Sequence, residues 1–125
     1  MKFTRAGFIL NPENYQECVY FYGNILGLEF MFKIDRKGEK LTTFNMGGVY
    51  LMIETGGTKQ AGGKSMATCP TKLRFNVSDI QATCANLRRK GIQAKVIDHR
   101  WGTTAEFFEP DGNRCALRSE KGFGQ

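Results

Sequence analysis

The chain has 125 residues and a mass of 14.1 kDa, with 41% hydrophobic, 12% aromatic and 24% charged residues. That is the size of one ordinary domain with a real core, and it excludes both intrinsic disorder and two separate domains of usual length. Eighteen Lys and Arg against twelve Asp and Glu give a net charge of +6 and a pI near 9.3, which favours an anionic ligand and repels a cationic one.

The amino end, Met1 to Arg5, is basic but meets Asn11-Pro12 before an export signal could form, so a cytoplasmic location is expected and the Asn76-Val77-Ser78 sequon is set aside. The longest apolar stretches, 6–10 and 46–53, fall far short of the roughly 18 residues that span a bilayer. An alternating segment at 7–11 reads as a half-buried strand. A helix follows from Asn14, which stands with Glu17 at capping-box spacing; Tyr15, Val19, Tyr22 and Ile25 or Leu26 then recur at helical intervals until Gly27. The period returns to two at 28–34, 41–46 and 49–54, with turns at Lys37-Gly38 and Gly47-Gly48.

Residues 55–70 are polar and glycine-rich, the composition of a flexible linker. Their Gly63-Lys64-Ser65 matches the tail of a phosphate-binding loop, but Thr58 stands where the motif needs glycine and Pro70 breaks the helix that should follow. A strand is expected at 72–77, then a helix capped by Ser78 or Asp79, striped by Ile80, Cys84 and Leu87, and ended by Gly91. Strands at 93–97, 104–108 and 114–118 complete the chain, the last two joined by Glu109-Pro110-Asp111-Gly112-Asn113.

The chain repeats itself. Asn14-Tyr15-Gln16 matches Asp79-Ile80-Gln81 at an offset of 65, and Gly27-Leu28-Glu29 matches Gly91-Ile92-Gln93 at an offset of 64. Each half reads β-α-β-β-β, so one α+β domain, 1–125, is expected to hold modules 1–54 and 71–120 joined by the linker 55–70. Cys18, Cys69, Cys84 and Cys115 make no Cys-x-x-Cys pair and read as buried thiols. The single histidine, His99, reads as a polar loop residue.

The paired modules, the segment Tyr20-Phe21-Tyr22-Gly23-Asn24-Ile25-Leu26-Gly27-Leu28, and Phe107-Phe108-Glu109-Pro110-Asp111-Gly112-Asn113 together resemble the glyoxalase/bleomycin-resistance/dioxygenase superfamily, also called vicinal oxygen chelate proteins, over nearly the whole chain. The resemblance implies modules whose mixed sheets curl around a cleft with helices outside, and frequent homodimers. Enzymes of that family usually hold a divalent metal with His, Gln or Glu from the first and last strand of each module. Here those positions fall on Gly7, Met52, Lys72 and Ala116. Shifting one strand by two residues would offer Glu54, still a single carboxylate where about three protein ligands are needed. Neither metal nor cofactor is therefore expected.

Strand alternation names the residues that face such a cleft. With Leu73, Phe75 and Val77 under a helix, Lys72, Arg74 and Asn76 face inward; with Leu51 and Ile53 packed, so do Tyr50, Met52 and Glu54. The last strand packs Cys115 and Leu117 and presents Arg114, Ala116 and Arg118, while Glu106 and Phe108 join the same wall. Trp101 is either a stacking surface or a strand-edge packing residue. The candidate ligand-binding residues are Tyr50, Met52, Glu54, Lys72, Arg74, Asn76, Trp101, Glu106, Phe108 and Arg114. The resemblance and the charge imply a metal-independent binder of a small organic molecule, an antibiotic or other drug among the candidates. Neutral aromatic or anionic ligands are preferred, since cationic bleomycin-type glycopeptides would be repelled. The alternative is a metal-dependent glyoxalase-like lyase or dioxygenase with an atypical site, or acid–base chemistry by Glu54, Glu106 or His99. Nucleic-acid binding ranks last, because the basic residues are scattered and no recognition helix is apparent.

Overall fold

In the computed structural model, which describes residues 1–125, the repeat is realised as two units, Met1–Lys59 and Gln60–Gln125. No helix is long and apolar enough to cross a membrane. The first unit runs β1 (Gly7–Leu10), α1 (Tyr15–Tyr20) with a π-helical continuation (Phe21–Ile25), β2 (Glu29–Arg36), β3 (Glu39–Met46) and β4 (Val49–Glu54). Its four-stranded mixed sheet has the order β1-β4-β3-β2, with β1 parallel to β4 and the other neighbours antiparallel. Gly47 and Gly48, at φ of 65° and 98°, form the two-residue hairpin between β3 and β4 that needs positive φ at both central positions. The core joins Cys18, Phe21 and Tyr22 of the helix to Phe44, Leu51 and Ile53 of the sheet, all 3% exposed or less. Each such large side chain contributes roughly 1.5–3 kcal/mol of burial.

The second unit repeats this order with β5 (Leu73–Val77), α2 (Ile80–Arg89), β6 (Lys95–His99), β7 (Gly102–Phe108) and β8 (Arg114–Ser119), in a sheet ordered β5-β8-β7-β6. Asp79 caps α2, its Oδ1 accepting the Ala82 N–H at 3.0 Å. Ile80, Cys84 and Leu87 are the helix's buried stripe, and α2 packs on β7 and β8. Burial pushes the Cys84 thiol above its ordinary pKa, with Arg88 partly opposing. In the Glu109–Asn113 turn, the Glu109 Oε1 accepts the backbone N–H groups of Asp111 at 2.7 Å and Asn113 at 2.9 Å. These bonds explain why a carboxylate only 3% exposed is tolerated there.

Three expectations are corrected. The first helix is not regular to its end, since its last turn is π-helical, and Asn14 makes no side-chain cap bond, so the capping box does not form. The glycine-rich segment is not a free tether. Gly56 N–H and Thr55 Oγ1 both bond the Pro12 carbonyl, while Gln60 N–H bonds Asp111 O and Lys64 N–H bonds Gly112 O. Gly63-Lys64-Ser65 precedes a Ser65–Thr68 turn rather than a helix, and Lys64 Nζ donates to Asn113 Oδ1 at 2.7 Å. Finally, His99 ends strand β6 instead of lying in a loop.

Candidate functional site

Residues directly opposite on neighbouring strands share a face, so the registers assign each side chain. In the second unit, Arg74, Ala116, Glu106 and Lys95 form one row and Asn76, Arg118, Thr104 and Ile97 the next, with Arg114 opposite Phe108. All lie on the face turned away from α2, whose side holds Leu73, Phe75, Leu117 and Ala105. A cavity of about 400 Å³ opens on this face among Lys64, Lys72, Lys95, Glu106, Phe108 and Arg114. Lys72 Nζ pairs with Glu106 Oε1 at 3.0 Å, with 29% and 33% of their side chains exposed. Arg114 donates to the Cys69 carbonyl at 3.0 Å. Arg74 is held by no carboxylate and lies 5.9 Å from the Trp101 ring centroid. Five cations thus face one acid around or beside the cavity, and the excess positive charge is what an anion would meet.

The neighbouring row is closed at Arg118 and Thr104, while Asn76 stays exposed and Ile97 borders the cavity. Arg118, expected on the open face, is only 3% exposed. It donates to the carbonyls of Trp101, at 2.9 Å, and Ser119, and the Trp101 and Phe123 rings each lie 5.1 Å from its guanidinium carbon. Asn76 Nδ2 donates to Glu120 Oε1 at 3.0 Å, so the segment after β8 covers this end. Ala116 is fully buried rather than presented. Trp101, although 47% exposed, is already stacked on His99 at 4.3 Å and 7°, and His99 Nε2 meets Thr104 Oγ1 at 2.9 Å. The ring is thus already engaged at this end by His99 and Arg118, with about half of its surface exposed.

In the first unit the corresponding face carries Gly7, Tyr50 and Asn45 in one row, Ile9, Met52, Thr43 and Phe32 in the next, and Glu54 with Leu41 beyond. Tyr50, Met52 and Glu54 are brought to the same side, each half-buried, as alternation required. This face is apolar where the second unit's is cationic: Ile9 is 51% and Phe32 40% exposed. The hydroxyl of Thr43, between Met52 and Phe32, is buried without a hydrogen-bond partner. The ten candidate residues therefore divide, three on this face and seven in the second unit.

A further cavity, of about 510 Å³, lies on the helix-bearing side of the first sheet, between α1 with its π turn and strands β2 and β3. It is larger than the cavity among the lysines and lies on the side of the sheet that strand alternation gives to the core.

The family model of the Glyoxalase/Bleomycin resistance protein/Dioxygenase superfamily matches residues 6–117. The chain belongs to this superfamily. Solved structures with the same fold include TnmS3, an antibiotic binding protein from Streptomyces sp. CB03234, with 18% identity, a TM-score of 0.72, and coverage of 95% of this chain and 98% of that one. A glyoxalase family protein from Enterococcus faecalis is similar at 24% identity and TM-score 0.70, covering 93% and 97%. A lactoylglutathione lyase from Agrobacterium tumefaciens is similar at 17% and 0.69, covering 98% and 97%. No curated protein sequence matches the chain.

At the four positions where the superfamily resemblance places metal ligands, this member has other chemistry. A Cβ on Gly7 would stand 2.4 Å from atoms of the Tyr50 ring, so the ring occupies the space of any longer side chain there. Met52 offers only a thioether, Lys72 a cation held by Glu106, and Ala116 a buried methyl. No three His, Cys, Asp or Glu side chains gather closely enough to hold a metal ion.

Proposed function

We propose that this superfamily member binds a small organic anion or neutral aromatic molecule without a metal, in the manner of a sequestering or carrier protein. The observation that carries the reading is the cavity on the second sheet, where Lys64, Lys72, Lys95 and Arg114 surround the single acid Glu106 and the half-exposed ring of Phe108. Cations steer and hold an anionic group, and a ring beside them favours an aromatic body. Metal independence rests on the donor set: a ring-filled Gly7, a thioether, a paired ammonium and a methyl fit neither zinc nor a harder divalent ion. TnmS3, which has the same fold, is an antibiotic binding protein, and this supports including antibiotics in the screen. Exposed Phe8 and Ile9 on the edge strand β1 support a homodimer.

The test is a thermal-shift screen of aromatic acids, neutral aromatics and aromatic amines, run beside metal analysis and titration with zinc, nickel, manganese and iron. The expected result is no stoichiometric metal, no metal-dependent rise in melting temperature, and stabilisation by an acid. That stabilisation should fall at least about tenfold in affinity in Arg114→Ala and grow at low salt. Tight metal uptake would restore a lyase or dioxygenase reading.

A further inference from the structure

The first-module helix is one residue longer than its counterpart: Gly27 follows Asn14 by thirteen residues, Gly91 follows Asp79 by twelve. The extra residue has a structural destination. Leu26 N–H bonds the Phe21 carbonyl at 2.9 Å, five residues back, so the insertion is absorbed as a π turn over Phe21–Ile25. Such turns widen a helix locally and occur often beside functional sites. Across from it, β2 carries a bulge between Phe30 and Phe32, which places Phe30 opposite Phe44 on the helix side and Phe32 opposite Thr43 on the other. Without the bulge, two residues two apart would share a face. Both irregularities shape the same groove.

We propose that this groove is a second small-molecule site, for an aromatic or otherwise apolar monoanion. Its volume, about 510 Å³, falls in the range of roughly 300–1,000 Å³ seen for small-molecule pockets. Val19, Phe30 and Phe44 give it an apolar floor and wall, and Gly23 lets the π turn sit directly against the Phe44 ring, since a Cβ there would stand 2.9 Å from it. Lys33 and Lys40 supply its charge, and no carboxylate is among the residues that line it. Lys33 has only a loose partner, Asp35 at 3.9 Å with both side chains at least half exposed. Lys40 lies over the Tyr15 ring at 5.2 Å. The second unit does not share the arrangement: α2 packs on both β7 and β8, whereas α1 makes its main contacts with β4 and reaches β3 through Tyr15, whose hydroxyl lies 2.5 Å from Thr42 Oγ1, both residues lining the groove.

The site stands independently of the one on the second sheet, and the two are separable by experiment. 2-Naphthoate, with 2-naphthylmethylamine as the cationic control, is titrated into ¹⁵N-labelled protein while amide shifts are followed. Saturating shifts at Gly23, Phe30 and Thr42 are expected, with the acid at least about tenfold tighter than the amine. They should be lost in the double charge reversal Lys33→Glu/Lys40→Glu, whose positions are exposed and whose fold is checked by the unchanged shifts of the core. They should persist in Arg114→Ala. Amides in the groove that do not move, or that move equally in the charge-reversed protein or with the amine, overturn the proposal.

Discussion

Gly7 is the position at which the fold's own geometry speaks most directly to metal binding. Its φ is not positive, so alanine is allowed by the backbone and would by itself stabilise by about 0.4–1 kcal/mol through the unfolded chain. Against that, the added Cβ falls 2.4 Å from three atoms of the Tyr50 ring, including the one nearest its own backbone. The ring cannot swing clear at its far end and must leave its rotamer, an overpacking cost of about 1–3 kcal/mol. Gly7→Ala should therefore destabilise by about 0.5–2 kcal/mol, a fall in melting temperature of roughly 2–8 °C for a chain of this length. In a Tyr50→Ala background the obstruction is gone, so the same substitution should become neutral or stabilising. Urea denaturation of the four proteins of the cycle measures both numbers. Additive effects, or a Gly7→Ala protein as stable as the parent, would refute the claim that Tyr50 fills the space of a side chain at this position.

Thr43→Val replaces a buried, unpartnered hydroxyl with an isosteric methyl and should stabilise by about 1 kcal/mol in chemical denaturation; a loss would mean that the hydroxyl has a partner. Asp79→Ala removes the side-chain acceptor of the Ala82 N–H and should cost about 1 kcal/mol, while Asp79→Asn should recover most of it. The Cys84 thiol is raised above its ordinary 9.0 by burial, so above that pH the unfolded chain releases a proton that the native state keeps, and stability falls as pH rises towards the native value. The stability gap between the parent and Cys84→Ala should be constant below pH 9 and narrow above it.

Alternation in the sequence assigns the faces of β4 and β5. Tyr50, Met52 and Glu54 on one strand, and Arg74 with Asn76 on another, lie where a period of two puts them because each strand has a helix side that must take the apolar residues. What alternation cannot report is what covers a face. Arg118 obeys the period yet is buried, because Trp101 and Phe123 approach it from outside its own strand. Phe30 and Phe32 break the period at a bulge that no turn residue announces. The π turn did leave a trace: the repeat offset changes from 65 to 64 between the cap and the terminal glycine, a one-residue insertion that a regular helix cannot absorb without rotating its buried stripe.

The two modules share one topology, so the difference between their faces must come from side chains alone. In the first, Gly7 lets the Tyr50 ring lie across β1, and Ile9, Met52 and Phe32 continue an apolar surface over the sheet. In the second, the residue matching Gly7 is Lys72, whose ammonium needs the Glu106 carboxylate on β7, and Arg74, Lys95 and Arg114 extend the charge. A half-exposed ion pair of this kind contributes only about 0–1 kcal/mol to stability, so folding alone gives little reason to gather five cations around one acid. An anion entering the cavity would meet charge that the protein leaves largely uncompensated. The same cluster predicts that a neutral pair, Lys72→Met with Glu106→Gln, costs little stability and weakens anion binding less than Arg114→Ala, because it removes one charge of each sign.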